Sequence, residues 1–166
     1  MEAMRMMLVD DEERYLKTTK KLLARKGYDV LTASGGAEAL GMLRGENVHV
    51  VILDVKMPGM GGIATLKEIK RQFPMIEVIM LTGHATVESA IDGLKSGAMD
   101  YLMKPADIDE IISKAEDAYA KRQHLEEKIR VASMRHLRKS PREIISRSAK
   151  IQELIQHPGK VIDDDF

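Results

Sequence analysis

Five short apolar runs, at residues 6–9, 28–33, 48–53, 76–81 and 99–103, alternate strictly with five stretches of helical periodicity. No other feature of the 166 residues restricts the fold as strongly. The run 48–53 is apolar at five of six positions, with His49 the exception. A strand that apolar must be covered on both faces. Strand–helix alternation of this kind predicts an α/β fold, a doubly wound five-stranded parallel sheet with helices on both sides. The punctuation agrees. Tyr15, Leu16, Leu22 and Leu23 share one face of a helix over 12–26, which Gly27 stops. Ser34 is placed to cap the next helix, which runs to Leu43. Pro74 ends a helix over 63–73, and Gly97 follows one over 86–96.

Composition removes several function classes. The chain has no cysteine, so disulfide scaffolds, cysteine-ligated zinc, iron–sulfur clusters and thiol catalysis are excluded. Hydrophobic residues make up 44% and charged residues 31%, a globular rather than a disordered balance. No apolar run approaches the roughly 20 residues of a membrane span. The run 6–9 is too short for the apolar region of a signal peptide, so a cytoplasmic location is expected.

Charge divides the chain. Net charge is zero overall, but residues 1–119 hold 15 Lys and Arg against 19 Asp and Glu, and residues 120–150 hold 10 against 3. An acidic body with a basic arm predicts parts with different roles. The expected limits are a domain over 4–119, a helical extension or linker over 120–156 and a frayed tail over 157–166. From Asp107 to Lys139 there is neither Gly nor Pro. A heptad reading puts Ile108, Ala115, Arg122, Ile129 and His136 on one seam, with Ile111, Ala118, Leu125, Ala132 and Lys139 beside them. Seven of these ten are apolar, which predicts a long helix whose second half pairs with a second chain. A solvated extension is the ordinary alternative. The basic arm lacks the second helix and tight turn of a DNA-reading module, so no direct DNA binding is expected.

Ligands in an open parallel sheet bind outside the carboxyl ends of the strands. The first strand ends in Asp10-Asp11, the third in Asp54, the fourth in Thr82 and the fifth in Lys104. Each alone is unremarkable, since acidic pairs after strands are usually solvated turns. Together they gather three carboxylates, a hydroxyl and an ammonium on one edge. Crowded carboxylates repel, and a hard divalent cation relieves the repulsion. Mg²⁺ takes oxygen ligands and completes its shell with phosphate oxygens. Lys104 is expected to pair with Asp54 at rest and with a phosphoryl oxygen afterwards, and Thr82 to donate to another such oxygen. Asp54 is the natural nucleophile, able to form an acyl phosphate.

These residues resemble a known family. Asp10-Asp11, Asp54 followed by Met57-Pro58-Gly59-Met60-Gly61-Gly62, Leu81-Thr82-Gly83 and Tyr101-Leu102-Met103-Lys104-Pro105 look like the receiver domain of bacterial two-component response regulators. The match runs from about Met4 to Tyr119. It implies the flavodoxin-like (βα)5 strand order 2-1-3-4-5, for which the chemotaxis member of the family is a standard example. It implies that Asp54 is the phosphoacceptor, and that Asp11 and Asp54 bind Mg²⁺ directly, with Asp10 acting mainly through a water. The Lys56 backbone carbonyl would be a further metal ligand. The resemblance further implies a cis bond between Lys104 and Pro105, and a switch in which Thr82 moves toward the phosphoryl group and Tyr101 swings inward. That shift would remodel the surface of the fourth helix, fifth strand and fifth helix. A sensor histidine kinase is the implied partner. Lys56 and His84 would lie at the rim, where they either tune water access or are ordinary exposed residues, and the small Gly83 would leave the approach open. Tyr15, Tyr28 and Tyr119 read as packing residues.

Residues 144–155 are similar to the opening of the central ATPase domain in nitrogen-regulatory-type transcription activators, and Leu81-Thr82-Gly83-His84-Ala85-Thr86 is similar to receivers of that group. No Walker motif follows, so ATP hydrolysis is not expected of these residues, and a stand-alone regulator and a truncated activator both remain open. Two other functions are compatible with parts of this pattern. A phosphatase working through an aspartyl intermediate needs a second carboxylate two positions after the nucleophile, where this chain has Lys56. An interaction module independent of phosphate would act through its C-terminal helix alone.

Overall fold

The computed structural model describes residues 3–83 and 86–136. Ten elements alternate: β1 (Arg5–Val9), α1 (Glu13–Arg25), β2 (Asp29–Ala33), α2 (Gly36–Gly45), β3 (Val50–Leu53), α3 (Gly62–Gln72), β4 (Glu77–Thr82), α4 (Val87–Lys95), β5 (Asp100–Met103) and α5 (Ile108–His136). The strands form one parallel sheet in the order β2-β1-β3-β4-β5. This is the flavodoxin-like topology that the resemblance implied.

The period-2 pleat sorts each apolar strand onto both faces. Met7, Val9, Val51, Leu53, Val78 and Met80 point to the side packed by Ala39, Leu40 and Leu43 of α2 and Leu66 and Ile69 of α3. Met6, Leu8, Val50, Ile52, Ile79, Leu81 and Leu102 point to the opposite side, against Leu16 and Leu23 of α1 and Ile111, Ala115 and Ala118 of α5. β3 and β4 are buried along their whole length, as central strands must be.

Helix ends follow their local chemistry, with one exception. Gly27 adopts φ 91°, and its N–H and that of Tyr28 return to the carbonyls of Ala24 and Leu23, closing α1 in a Schellman turn. Gly97, at φ 110°, closes α4 the same way. Thr86 and Ser89 form a reciprocal capping box at the start of α4. The exception is Ser34, which does not cap α2. Gly35 holds the cap position without a side-chain bond, and the backbone N–H and hydroxyl of Ser34 donate to the carboxylate of Glu38. A first-turn carboxylate is a stronger acceptor for the serine than the helix is a donor to it. The serine hydroxyl and then its backbone N–H hold the Glu38 pKa below the usual carboxylate value.

Two compact units divide the chain, Met1–Tyr119 and Ala120–Phe166. Within the first, Ile111, Ala115 and Ala118 of the heptad seam are buried in the domain's own core, with Ile108 packed against it. That part of the seam is therefore spent within the chain. In the second unit the helical residues up to His136 carry Arg122–Glu126 and Glu127–Arg130 ion pairs, and expose Val131 and Met134. The seam position Lys139 and the expected linker and tail beyond it lie outside the described residues.

Candidate functional site

Asp10, Asp54, Thr82 and Lys104 each sit where a strand stops. Asp10 follows β1 and its N–H bonds to the carbonyl of Ala33; Asp54 follows β3 and its N–H bonds to the carbonyl of Val9. These cross-strand bonds carry the ladder one residue past the strand ends and fix both carboxylates beside each other. Asp10 and Asp54 are 3% and 6% exposed, an unusual burial for carboxylates. Asp11, next in the chain, points outward and is exposed. One oxygen from each of Asp10, Asp11 and Asp54 can be chosen so that all three lie within 4.8 Å of one another. Oxygen donors at that spacing fit a hard divalent cation such as Mg²⁺.

Gly62 explains how Asp54 is presented. Its N–H bonds to the carbonyl of Val55, and a Cβ on it would lie 2.2 Å from the Asp54 carbonyl oxygen and 2.6 Å from Val55 Cα. Only a glycine lets the start of α3 approach the loop so closely.

Lys104 reaches the cluster from the end of β5, with a cis bond to Pro105. Its Nζ lies 2.5 Å from Asp10 Oδ2, 3.8 Å from Glu12 Oε1 and 3.9 Å from Asp54 Oδ2. The closest partner of the lysine is thus Asp10, and Asp54 is only at ion-pair range. Lys104 thus pairs with both carboxylates, more closely with Asp10, whose second oxygen also accepts the Glu12 N–H at 2.9 Å. Burial alone would lower the Lys104 pKa; the Asp10 hydrogen bond, with the charges of Asp10, Asp54 and Glu12, outweighs it and raises the pKa.

The Asp54 carboxyl is held above its usual value, first by burial and then by the negative Asp10. Lys104, a hydrogen bond from the Thr82 hydroxyl and one from the Lys56 backbone N–H pull in the other direction without cancelling the rise. Thr82 is fully buried at the end of β4, already in contact with the carboxylate. Tyr101 packs its ring against the core on the α2–α3 side, and its hydroxyl is buried with no partner among the described residues. Lys56 is exposed beyond Asp54. Gly83 is exposed too, and a Cβ there would meet nothing nearer than Lys104 Cβ at 3.8 Å. His84 lies outside the described residues.

One residue read as packing alone has a second role. The Tyr15 ring on α1 packs against the core and also lies beneath the ammonium of Lys104, 4.2 Å from Nζ to the ring centroid. With Leu8, Val9, Asp10, Ile52, Asp54 and Leu81 it lines a small pocket behind the carboxylates. Its spacing from Leu16 and Leu23 marks only a helix face. Nothing in the local pattern shows that the face meets a lysine 89 positions further on.

The family model of the response regulator receiver domain matches residues 6–116. The chain belongs to this family. Among curated relatives, the transcriptional regulatory protein ZraR of Escherichia coli K12 is 42% identical over 114 residues, 69% of this chain and 26% of that protein. The DNA-binding transcriptional regulator NtrC of the same organism is 40% identical over 111 residues, 67% of this chain and 24% of NtrC. The chain therefore aligns with about a quarter of the length of these relatives. Among solved structures, a receiver domain from Clostridium thermocellum superposes with a TM-score of 0.70 at 36% identity, covering 74% of this chain and 98% of that one. The receiver domain of NtrX from Brucella abortus gives 0.65 at 32%, covering 69% and 98%. Receiver domains of this family catalyse only their own phosphorylation and dephosphorylation, not the turnover of an external ester. Among the described residues, no helix is long and apolar enough to cross a membrane.

Proposed function

We propose that Asp54 accepts a phosphoryl group from a sensor histidine kinase in a Mg²⁺-dependent reaction, and that the resulting acyl phosphate switches the partners of the domain. The observation that carries this reading is the Asp10–Asp11–Asp54 oxygen cluster with the Lys104 ammonium at its edge. Asp11, Asp54 and the Lys56 backbone carbonyl would hold the metal, with Asp10 reaching it through water. An indirect role for Asp10 is supported by its oxygens, which already accept from Lys104 and from the Glu12 N–H. Bound there, Mg²⁺ neutralises the carboxylates and the incoming phosphoryl oxygens.

An Asp54 carboxylate oxygen attacks the phosphorus of a phosphohistidine. The new P–O bond forms as the P–N bond breaks, and the kinase imidazole departs. Lys104 turns from Asp10 to a phosphoryl oxygen, and the Thr82 hydroxyl exchanges its bond to the carboxylate for one to the phosphoryl group. Tyr101, whose buried hydroxyl has no partner among the described residues, belongs to the element whose position this exchange biases. The affected surface presents exposed apolar side chains, Val87, Ile91 and Leu94 on α4 and Met103 on β5. Leu125 and Ile129, half-buried on α5, support pairing of the second half of that helix with a second copy.

Beryllofluoride, a phosphoryl mimic, tests the site and the switch together. With Mg²⁺ it should shift the amide resonances of Asp54, Thr82 and Lys104 in wild-type protein and leave Asp54→Asn unchanged. Spectra and light scattering that do not respond in the wild type would instead support an interaction module independent of phosphate.

A further inference from the structure

We infer that Tyr15 is a positioning residue for Lys104, holding the ammonium at the site when it leaves Asp10. This rests on the phosphoacceptor reading of Asp54, and deepens it by naming what sets the lysine's place. Lys104 spans the pocket with a side chain only 15% exposed, and four groups compete for its charge. Three are carboxylates, of Asp10, Glu12 and Asp54; the fourth is the neutral face of the Tyr15 ring. The carboxylates change partners in the reaction, because a metal and a phosphoryl group draw on Asp10 and Asp54. The ring does not. A cation 4.2 Å above an aromatic face gains attraction from the ring's quadrupole, more when water is excluded. Tyr15 is itself fixed in place, partly buried against Leu16's side of the core and hydrogen-bonded to Thr19, one turn along α1 and 4% exposed. An ammonium on a flexible four-carbon stem would otherwise sample many rotamers once released by Asp10. The ring keeps it over the pocket that also borders Asp54.

The test replaces the ring by shapes that keep or lose its face. Tyr15→Phe keeps the face and loses the Thr19 bond, whereas Tyr15→Leu keeps apolar bulk and loses the face. Each variant is treated with Mg²⁺ and acetyl phosphate, and the rate of single phosphorylation is followed by intact mass. Tyr15→Leu is expected to label about three- to tenfold more slowly, and Tyr15→Phe within about twofold of wild type. Mg²⁺ affinity, measured by calorimetry, should be the same in all three. A readout free of activity is the upfield ring-current shift of the Lys104 ε-methylene protons, present in wild type and Tyr15→Phe and lost in Tyr15→Leu. If the Leu variant labels like wild type, or if its Lys104 shift is unchanged, the positioning role is wrong. Should Tyr15→Leu fold poorly, the lysine shift in wild type alone decides: its absence overturns the inference. Failure of the underlying reading is distinguishable, because wild-type protein itself would then take up no phosphate.

Discussion

Asp54 illustrates how a single side chain trades stability for reactivity. Burial and the neighbouring Asp10 raise its pKa, so the native state holds a proton on it more tightly than the unfolded chain does. The stability carried by such a group is complete below the unfolded value and is lost as pH rises through the raised native value. At pH 7 the ionised carboxylate is therefore a net cost. Asp54→Asn should raise the melting temperature by about 3 °C at pH 7, and the gain should vanish below about pH 4. Thermal melts across pH check this; a lowered melting temperature at pH 7 would contradict it. Lys104 works in the opposite sense. Its contribution is complete below the ordinary lysine value and is lost only as pH rises through the raised one. Lys104→Met leaves Asp10 buried without its ion-pair partner, and should cost ~3 kcal/mol in urea unfolding at neutral pH. Added Mg²⁺ should recover part of that loss in the variant. No recovery would mean that the carboxylates do not share a cation. The residue types of this cluster were legible in the sequence because each ends a strand. The preference of Lys104 for Asp10 was not, since it turns on a difference of 1.4 Å in the reach of Lys104 Nζ, 2.5 Å to Asp10 against 3.9 Å to Asp54.

The elements show why most of the fold could be read in advance. β3 and β4 are apolar throughout because both faces are covered, and the glycines after α1 and α4 take the positive φ their turns require. Ser34 shows the limit of such reading. A cap residue and a competing carboxylate four positions on give the same local pattern, and geometry decides between them. Two glycines in helices make a matched prediction. Gly62→Ala would drive a methyl into the backbone of Asp54 and Val55, and should destabilise by at least ~2 kcal/mol and slow labelling of Asp54. Gly41→Ala, in α2 with nothing within 4 Å of a Cβ, should stabilise by about 0.5–1 kcal/mol. Urea titrations of both variants read the contrast directly; equal effects would contradict the close approach at Gly62.

At the scale of the whole molecule, heptad spacing in α5 describes two different situations with one pattern. Ile111, Ala115 and Ala118 are covered by the sheet of their own domain, whereas Leu125, Ile129 and Ala132 remain half-buried in a separate unit. Sequence spacing records that a face is apolar and does not record what covers it. Leu125→Glu with Ile129→Glu should yield a monomer in light scattering at concentrations where the wild type is dimeric, with labelling of Asp54 unaffected. A wild type that is monomeric at every concentration would remove the pairing reading and leave the site intact. The site itself is tested most directly by intact-mass spectrometry after incubation with acetyl phosphate. Wild-type protein should gain one phosphate with Mg²⁺ and none with excess chelator, and Asp54→Asn should gain none in either condition. Equal labelling of the wild type and Asp54→Asn would show that Asp54 does not accept the phosphoryl group.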